Sequence, residues 1–377
     1  MSFKRFDKPI YVTKPTLPDL HQYTSLLEDI WESQWLTNNG KHVQMLEARL
    51  SEYLGVPHVC AMSNGTLALM IALRALCSSP GNVITTPFTF PATTHAIHWL
   101  GLTPVFADVD SRTGNIDPDA AQALVDEDTR AILAVHVYGN PCDNAGLTEI
   151  CRNSRIPLIY DAAHAFGVRI GSESILTWGD ASAISFHATK LFSTIEGGAL
   201  ATLDSSLREQ ADKLRNFGIV NEDTVEFPGI NAKMSEVHAA FGLLTLDHTD
   251  TEIAARSRLA RIYDDVLADV PGVRKIATDF VGDRNFSYYP VRVAEADYGS
   301  SRDRLQQDLK EFNIFARKYF YPLCTRTSPY SELPSAAAKC IPNAYMLEAE
   351  ALCLPIYGDL TEEEAYEIAT HIARLGG

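Results

Sequence analysis

Positive charge is scarce in this chain: 32 Lys and Arg stand against 48 Asp and Glu among 377 residues, a formal net charge of -16. A surface so acidic repels polyanions, so nucleic acid is not an expected partner. Long apolar runs are missing as well. Nothing approaches the roughly 18–20 apolar residues that span a bilayer. The opening MSFKRFDKPIYVTKPTLPDL also lacks the apolar centre of a secretory signal. A cytoplasmic protein with no membrane partner is expected. Cysteine is sparse and unpatterned. Its seven positions, 60, 77, 142, 151, 324, 340 and 353, are odd in number and never spaced CxxC, which speaks against a disulfide framework and against a zinc site. No metal is expected, and internal repeats and low-complexity segments are absent.

What is present is an alternation. From about residue 42 to 200, short runs rich in Val and Ile (NVITT, TPVFAD, AILAVHVY, IPLIYD, ASAISF) are separated by helix-like stretches such as HVQMLEARLSEYLG. That pattern predicts a mainly parallel sheet covered on both faces, hence an α/β fold class. A helical pattern from near Met234 to about 270 is too long for one unbent helix and bridges to a second unit. There, SYYPVRV and IFARKYF read as strands, and a helix is expected from about 301 to 311. A last helix opens at Thr361 and Glu364 with a capping box. The expected division is a large domain over 1–250 and a smaller α+β domain over 251–377.

Ligands of such sheets sit at the carboxyl ends of the strands. IPLIYDAAHAFG ends a strand on Asp161, with His164 three residues later; an aspartate so placed can also simply cap the next helix. The loop Ser63–Thr66 opens the apolar helix of MSNGTLALMIALRAL, and free N–H groups with the helix dipole make such a start a phosphate cradle or an ordinary N-cap. Phe88 and Phe90 follow a strand in TTPFTFP, where aromatic rings serve either the core or a ligand's face. Lys190 lies just past a strand in SFHATKLFSTIEGGAL. A lysine in a partly desolvated pocket becomes a nucleophile toward aldehydes. One cofactor uses all four features: pyridoxal 5′-phosphate needs a lysine for its aldehyde, a carboxylate against its ring nitrogen, a phosphate cup and a ring over its face.

The motifs SNGTLAL (63–69), TTPFTFPATTHA (85–96), TPVFADVD (103–110), VHVYGNP (135–141), YDAAHAFG (160–167), SFHATKLFSTIEGGAL (185–200), GINAKMSEVHAAFGLLTL (229–246) and CLPIYGDLTEEE (353–364) occur in order along the chain. By them it resembles the DegT/DnrJ/EryC1/StrS family of sugar aminotransferases, fold type I pyridoxal-phosphate enzymes with a seven-stranded, mainly parallel sheet and a smaller C-terminal domain. The resemblance implies that Lys190 is the Schiff-base lysine and Asp161 the partner of the ring nitrogen. It implies that His164 bonds the cofactor's 3′-oxygen and that Phe90 stacks on the ring. Gly65, Thr66 and Ser185 would hold the phosphate. Asn231 would reach the phosphate of a neighbouring subunit, which implies a homodimer with shared active sites. Candidate substrate contacts are Phe88, His187, Glu196, Lys318, Tyr319 and Tyr321, and Glu196 with the following glycines reads as a turn that sets the lysine loop. At Lys233 the family more often has Arg.

WESQWLTNNGKHVQMLEARLSEYLGV and TTPFTFPATTHAIHWL resemble the subgroup that moves the amino group of L-glutamate to C4 of the nucleotide sugar dTDP-4-dehydro-6-deoxy-D-glucose. Amination at C3, or at C4 with the galacto product, on a related dTDP, UDP or GDP sugar is the alternative. A non-catalytic regulator on the same fold is a third, and the lysine at 190 speaks against it.

Overall fold

The computed structural model describes residues 5–77 and 79–376. Met1 to Lys4, Ser78 and Gly377, which the expected domains include, lie outside the described residues. Seven strands build the main sheet: β1 (His58–Met62), β2 (Asn82–Thr85), β3 (Thr103–Phe106), β4 (Thr129–Val135), β5 (Leu158–Asp161), β6 (Ala181–Ser185) and β7 (Gly198–Thr202). Their spatial order is β1-β7-β6-β5-β4-β2-β3. Only β7 is antiparallel to its neighbours, so the other six point one way. Apart from Val105 on the edge strand β3, the Val, Ile and Ala of these strands are almost fully buried, as a sheet covered on both faces requires.

The strand register fixes the site. Asp161, the last residue of β5, pairs with Val135 on one side and Ala183 on the other. Ser185, the last of β6, pairs with Gly198. The carboxyl ends of β1, β4, β5 and β6 therefore lie along one edge, and the loops that follow them meet there.

Helices α1 (Leu20–Ser33), α2 (Lys41–Leu54), α3 (Gly65–Leu76) and α4 (Pro91–Trp99) precede the middle of the sheet. Gly40, the N-cap of α2, has no side chain to cap it. The buried Glu236 carboxylate takes over, accepting the N–H groups of His42 at 2.7 Å and Val43 at 3.3 Å; an anion at a helix N-terminus also meets the favourable end of its dipole. The long pattern from Met234 resolves into two helices, α5 (Glu236–Leu246) and α6 (Thr249–Leu267), parted at Asp247–His248.

A second core gathers on the antiparallel sheet β8 (Val273–Lys275), β9 (Tyr289–Val293) and β10 (Ala351–Leu354). It is covered by α6 and by the last helix, α7 (Glu362–Leu375), whose capping box is formed by Thr361 and Glu364. In α6 the buried Arg256 pairs with Glu252 at 2.8 Å, and Glu252 also accepts the Gly358 N–H, which fixes the helix to the following segment. One expectation needs adjustment. IFARKYF contributes only the short strand Ile314–Phe315, paired in parallel with Ile10–Tyr11. As a result Phe6 and Ile10, in the chain's first twenty residues, pack into the second core. No helix among the described residues is long and apolar enough to cross a membrane.

Candidate active site

A cleft of about 290 Å³ opens at the carboxyl edge of the main sheet. Its floor is Asp161, only 6% exposed. One carboxylate oxygen accepts the Thr93 hydroxyl at 2.6 Å and the other the Ala163 N–H at 3.1 Å. Both donors are neutral. Burial pushes the carboxyl's pKa up, and these hydrogen bonds and the nearby charge of Lys190 pull it back.

Lys190 follows β6 by five residues and lines the same cleft. Its Nζ donates to the hydroxyl of the buried Tyr288 at 3.4 Å. Desolvation lowers its pKa to about 8, with Asp161 opposing and Arg317 reinforcing the shift. About a tenth is thus the free amine at pH 7, far more than for an ordinary lysine, and this is the form that attacks a carbonyl.

His164 stands beside them, 7% exposed. Its Nδ1 accepts the Tyr138 N–H at 3.2 Å, which leaves Nε2–H as the ring's donor. Burial, and then the charge of Lys190, hold it neutral by moving its pKa well below the usual value. Its ring lies parallel to Phe320, 2° between planes and 5.9 Å between centroids. Phe90 caps α4 and is 54% exposed toward the opening.

Gly65 and Thr66 begin α3. The Asn64 side chain accepts the Leu67 N–H at 2.9 Å, and the N–H groups of Gly65 and Thr66, at the first two helical positions, have no partner within the helix. Ser185 lines the cleft beside them. A Cβ at Gly65 would come within 3.0 Å of Ser185 Cβ, so glycine lets the helix start approach the strand end closely enough to leave a cup.

The structure thus brings together Gly65, Thr66, Phe90, Asp161, His164, Ser185, His187, Lys190, Glu196 and Tyr319 around one cleft. Three of the expected substrate contacts are elsewhere. Phe88 is fully buried, packed edge-on against Tyr138 and Phe320, whereas Phe90, at the start of α4, borders the cleft. Lys318 is turned away to Asp303 at 3.3 Å and lies over the ring of Tyr321, and neither lines the cleft. Asn231 is exposed and bridges to Asn216, away from its own chain's cleft.

The glycines of IEGGAL also act differently from the expectation. Neither takes a positive φ; Ile195 does, at 71°. A Cβ on Gly197 would fall 1.9 Å from Thr194 Oγ1 and one on Gly198 2.5 Å from the Gly65 nitrogen. They are glycines for close approach, not for an unusual backbone conformation. Sequence reading missed Thr93, Tyr288 and Arg317, which touch Asp161, touch Lys190 and line the cleft. The signal for Thr93 was its spacing, one turn beyond Phe90.

A lysine amine with a lowered pKa, a buried carboxylate and a helix start at the open edge of a mainly parallel α/β sheet define the class: an enzyme that works on carbonyl and amino groups through a lysine. The chain belongs to the DegT/DnrJ/EryC1/StrS aminotransferase family, whose sequence profile matches residues 21–373. It is 43% identical over 369 residues to the dTDP-4-amino-4,6-dideoxy-D-glucose transaminase of Shigella dysenteriae, covering 98% of this chain and all of that one. The Escherichia coli protein of the same name is 42% identical, with 96% and 97% covered. The fold superimposes on DesI, crystallised in the presence of its TDP-sugar product, with a TM-score of 0.93 and 36% identity, over 99% of this chain and 94% of that one.

Proposed function

We propose that the protein is a pyridoxal-phosphate-dependent transaminase that moves the amino group of L-glutamate to C4 of dTDP-4-dehydro-6-deoxy-D-glucose, giving dTDP-4-amino-4,6-dideoxy-D-glucose and 2-oxoglutarate. The observation that carries the chemistry is the buried carboxylate of Asp161, bonded by neutral donors only, on the floor of the cleft that Lys190 enters. The near full-length likeness to transaminases of that name supports the sugar.

The residues present fit the cofactor. Asp161 offers an anion to a protonated ring nitrogen, Lys190 an amine to an aldehyde, His164 a donor to a ring oxygen, and Phe90 a face. Gly65 and Thr66 offer N–H groups, and Ser185 a hydroxyl, to a phosphate. Asn231 is exposed and does not line its own cleft, which supports its serving a second copy in a homodimer with shared sites. When bound, pyridoxal phosphate supplies the electron sink that makes a Cα–H bond acidic.

The chain's residues do the rest. Asp161, whose ionised form the bonds from Thr93 and Ala163 favour against burial, would keep the ring nitrogen protonated. With the cofactor bound, Lys190 Nζ would take the proton of glutamate Cα and pass it to the cofactor, and the lowered pKa of its amine suits it to that exchange. In the second half Lys190 would take a proton back from the cofactor and deliver it to sugar C4. Tyr288 holds the amine in place between the two transfers. His187 and Glu196, 3.7 Å apart on the rim, and Tyr319 deeper in, border the space a sugar would enter.

Incubating the protein with pyridoxal phosphate, glutamate and the keto-sugar, and identifying the product by NMR, tests this directly. A 4-amino gluco product formed with equimolar 2-oxoglutarate is expected. A 3-amino or galacto-configured product overturns the sugar assignment, and no 2-oxoglutarate with any keto-sugar overturns the transaminase.

A further inference from the structure

The first turn of α4 carries two side chains to the site. Phe90 stands at its N-cap and borders the cleft, and Thr93, three residues on, is fully buried. Residues three apart share a helix face, so one turn presents both a ring to the opening and a hydroxyl to the floor. Thr93 Oγ1 is 2.6 Å from Asp161 Oδ2 and 2.8 Å from Thr89 Oγ1.

The direction of these bonds follows from proton counting. An ionised carboxylate only accepts, and a threonine hydroxyl has one proton. Thr93 gives its proton to Asp161, so at its other contact it accepts, and Thr89 donates. Both bonds in the row then point at the carboxylate, and each polarises the next. Asp161 has no other side-chain hydrogen bond among the described residues.

We infer, on the pyridoxal-phosphate reading above, that Thr93 is a positioning residue of this enzyme: through the Thr89–Thr93–Asp161 row it fixes the carboxylate's rotamer and keeps it an acceptor toward the cofactor's ring nitrogen. Burial opposes the ionised form of Asp161, and of the interactions that counter burial the Thr93 bond is the largest. Thr93 touches no substrate and moves no proton in the reaction. Its effect passes through Asp161.

The test is a titration of apoprotein with pyridoxal phosphate, followed by absorbance, for wild type, Thr93→Val, Thr93→Ser, Asp161→Asn and the Thr93→Val/Asp161→Asn double variant. Valine keeps the shape and removes the donor; serine keeps the donor. A hydrogen bond to a charged group sets the expected loss at about ten- to a hundredfold in cofactor affinity for Thr93→Val, with Thr93→Ser staying within about threefold of wild type. In the Asp161→Asn background Thr93→Val should cost nothing further, because the group it serves is no longer an anion. The same loss in both backgrounds, or a valine variant that binds like wild type, overturns the inference. Wild type that binds no cofactor overturns the reading beneath it instead. If the valine variant does not fold, Thr93→Ala against Thr93→Ser makes the same comparison.

Discussion

Two buried carboxylates of the main domain are treated in opposite ways. Glu47, on α2 and 8% exposed, is met by fixed cations: Arg215 at 2.6 Å and Arg208 at 2.8 Å, with the Ala61 N–H at 2.8 Å. Asp161, equally buried, is met by a hydroxyl and one N–H. A buried anion is costly unless paired. Around Glu47 the chain supplies the pair and the charges hold α2, β1 and the helix Ser205–Leu214 together. Around Asp161 it supplies neutral hydrogen-bond donors, with Lys190 near but not in contact, and an open cleft. On the proposed reading the counter-charge comes from a ligand, so that the first carboxylate serves stability and the second function.

That contrast can be broken at either end. The largest effect is expected at Glu47. Glu47→Ala leaves the buried Arg215 with Asp212 as its remaining ion-pair partner, at 2.6 Å, and should cost about 1–3 kcal/mol in denaturant unfolding, with cofactor affinity per folded molecule unchanged. A variant as stable as wild type would show that Asp212 alone suffices for the two arginines.

A smaller effect is expected at the lysine. The free amine is the reactive form, and its fraction falls as pH drops below the lowered pKa of about 8. The rate at which apoprotein captures pyridoxal phosphate should therefore fall by about tenfold per pH unit below 8 and level off above it. Stopped-flow absorbance between pH 6 and 9.5 reads this, and a slope that persists to pH 9.5 would mean that the amine is not desolvated.

The smallest effect is at the rim, where His187 and Glu196 face each other in solvent. Exposed pairs are weak, so Glu196→Gln should shift unfolding by less than about 1 kcal/mol. Any change it makes in the KM for sugar against kcat then reports substrate contact and not stability.

Much of this was legible in the chain. The strands β2 to β6 announce themselves as short Val- and Ile-rich runs because both of their faces are buried, and Asp161 and Lys190 are visible as polar residues where such runs end. Periodicity could not tell that the pattern from Met234 breaks at Asp247–His248, where neither residue is Gly or Pro. Nor could it settle Phe88 against Phe90: both follow the strand, and only the packing of Tyr138 and Phe320 decides which ring is in the core. Tyr288 and Arg317 come from segments about a hundred residues beyond Lys190 or more, with no local pattern to join them to it. The IEGGAL glycines misled for a related reason, because close approach and a positive φ select the same residue. Only the neighbouring chain, here Gly65 against Gly198, tells them apart.

The difference between the two carboxylates comes down to one claim, that Asp161 has no ion-pair partner in contact among the described residues because a bound cofactor supplies one. The most direct measurement is the visible spectrum of cofactor-loaded protein as L-glutamate is added, in wild type and in Asp161→Asn. The account predicts a visible band that glutamate bleaches in wild type, with 2-oxoglutarate released, and bleaching at least about a hundredfold slower in Asp161→Asn although its apoprotein unfolds no more easily. Equal rates in the two proteins would contradict it.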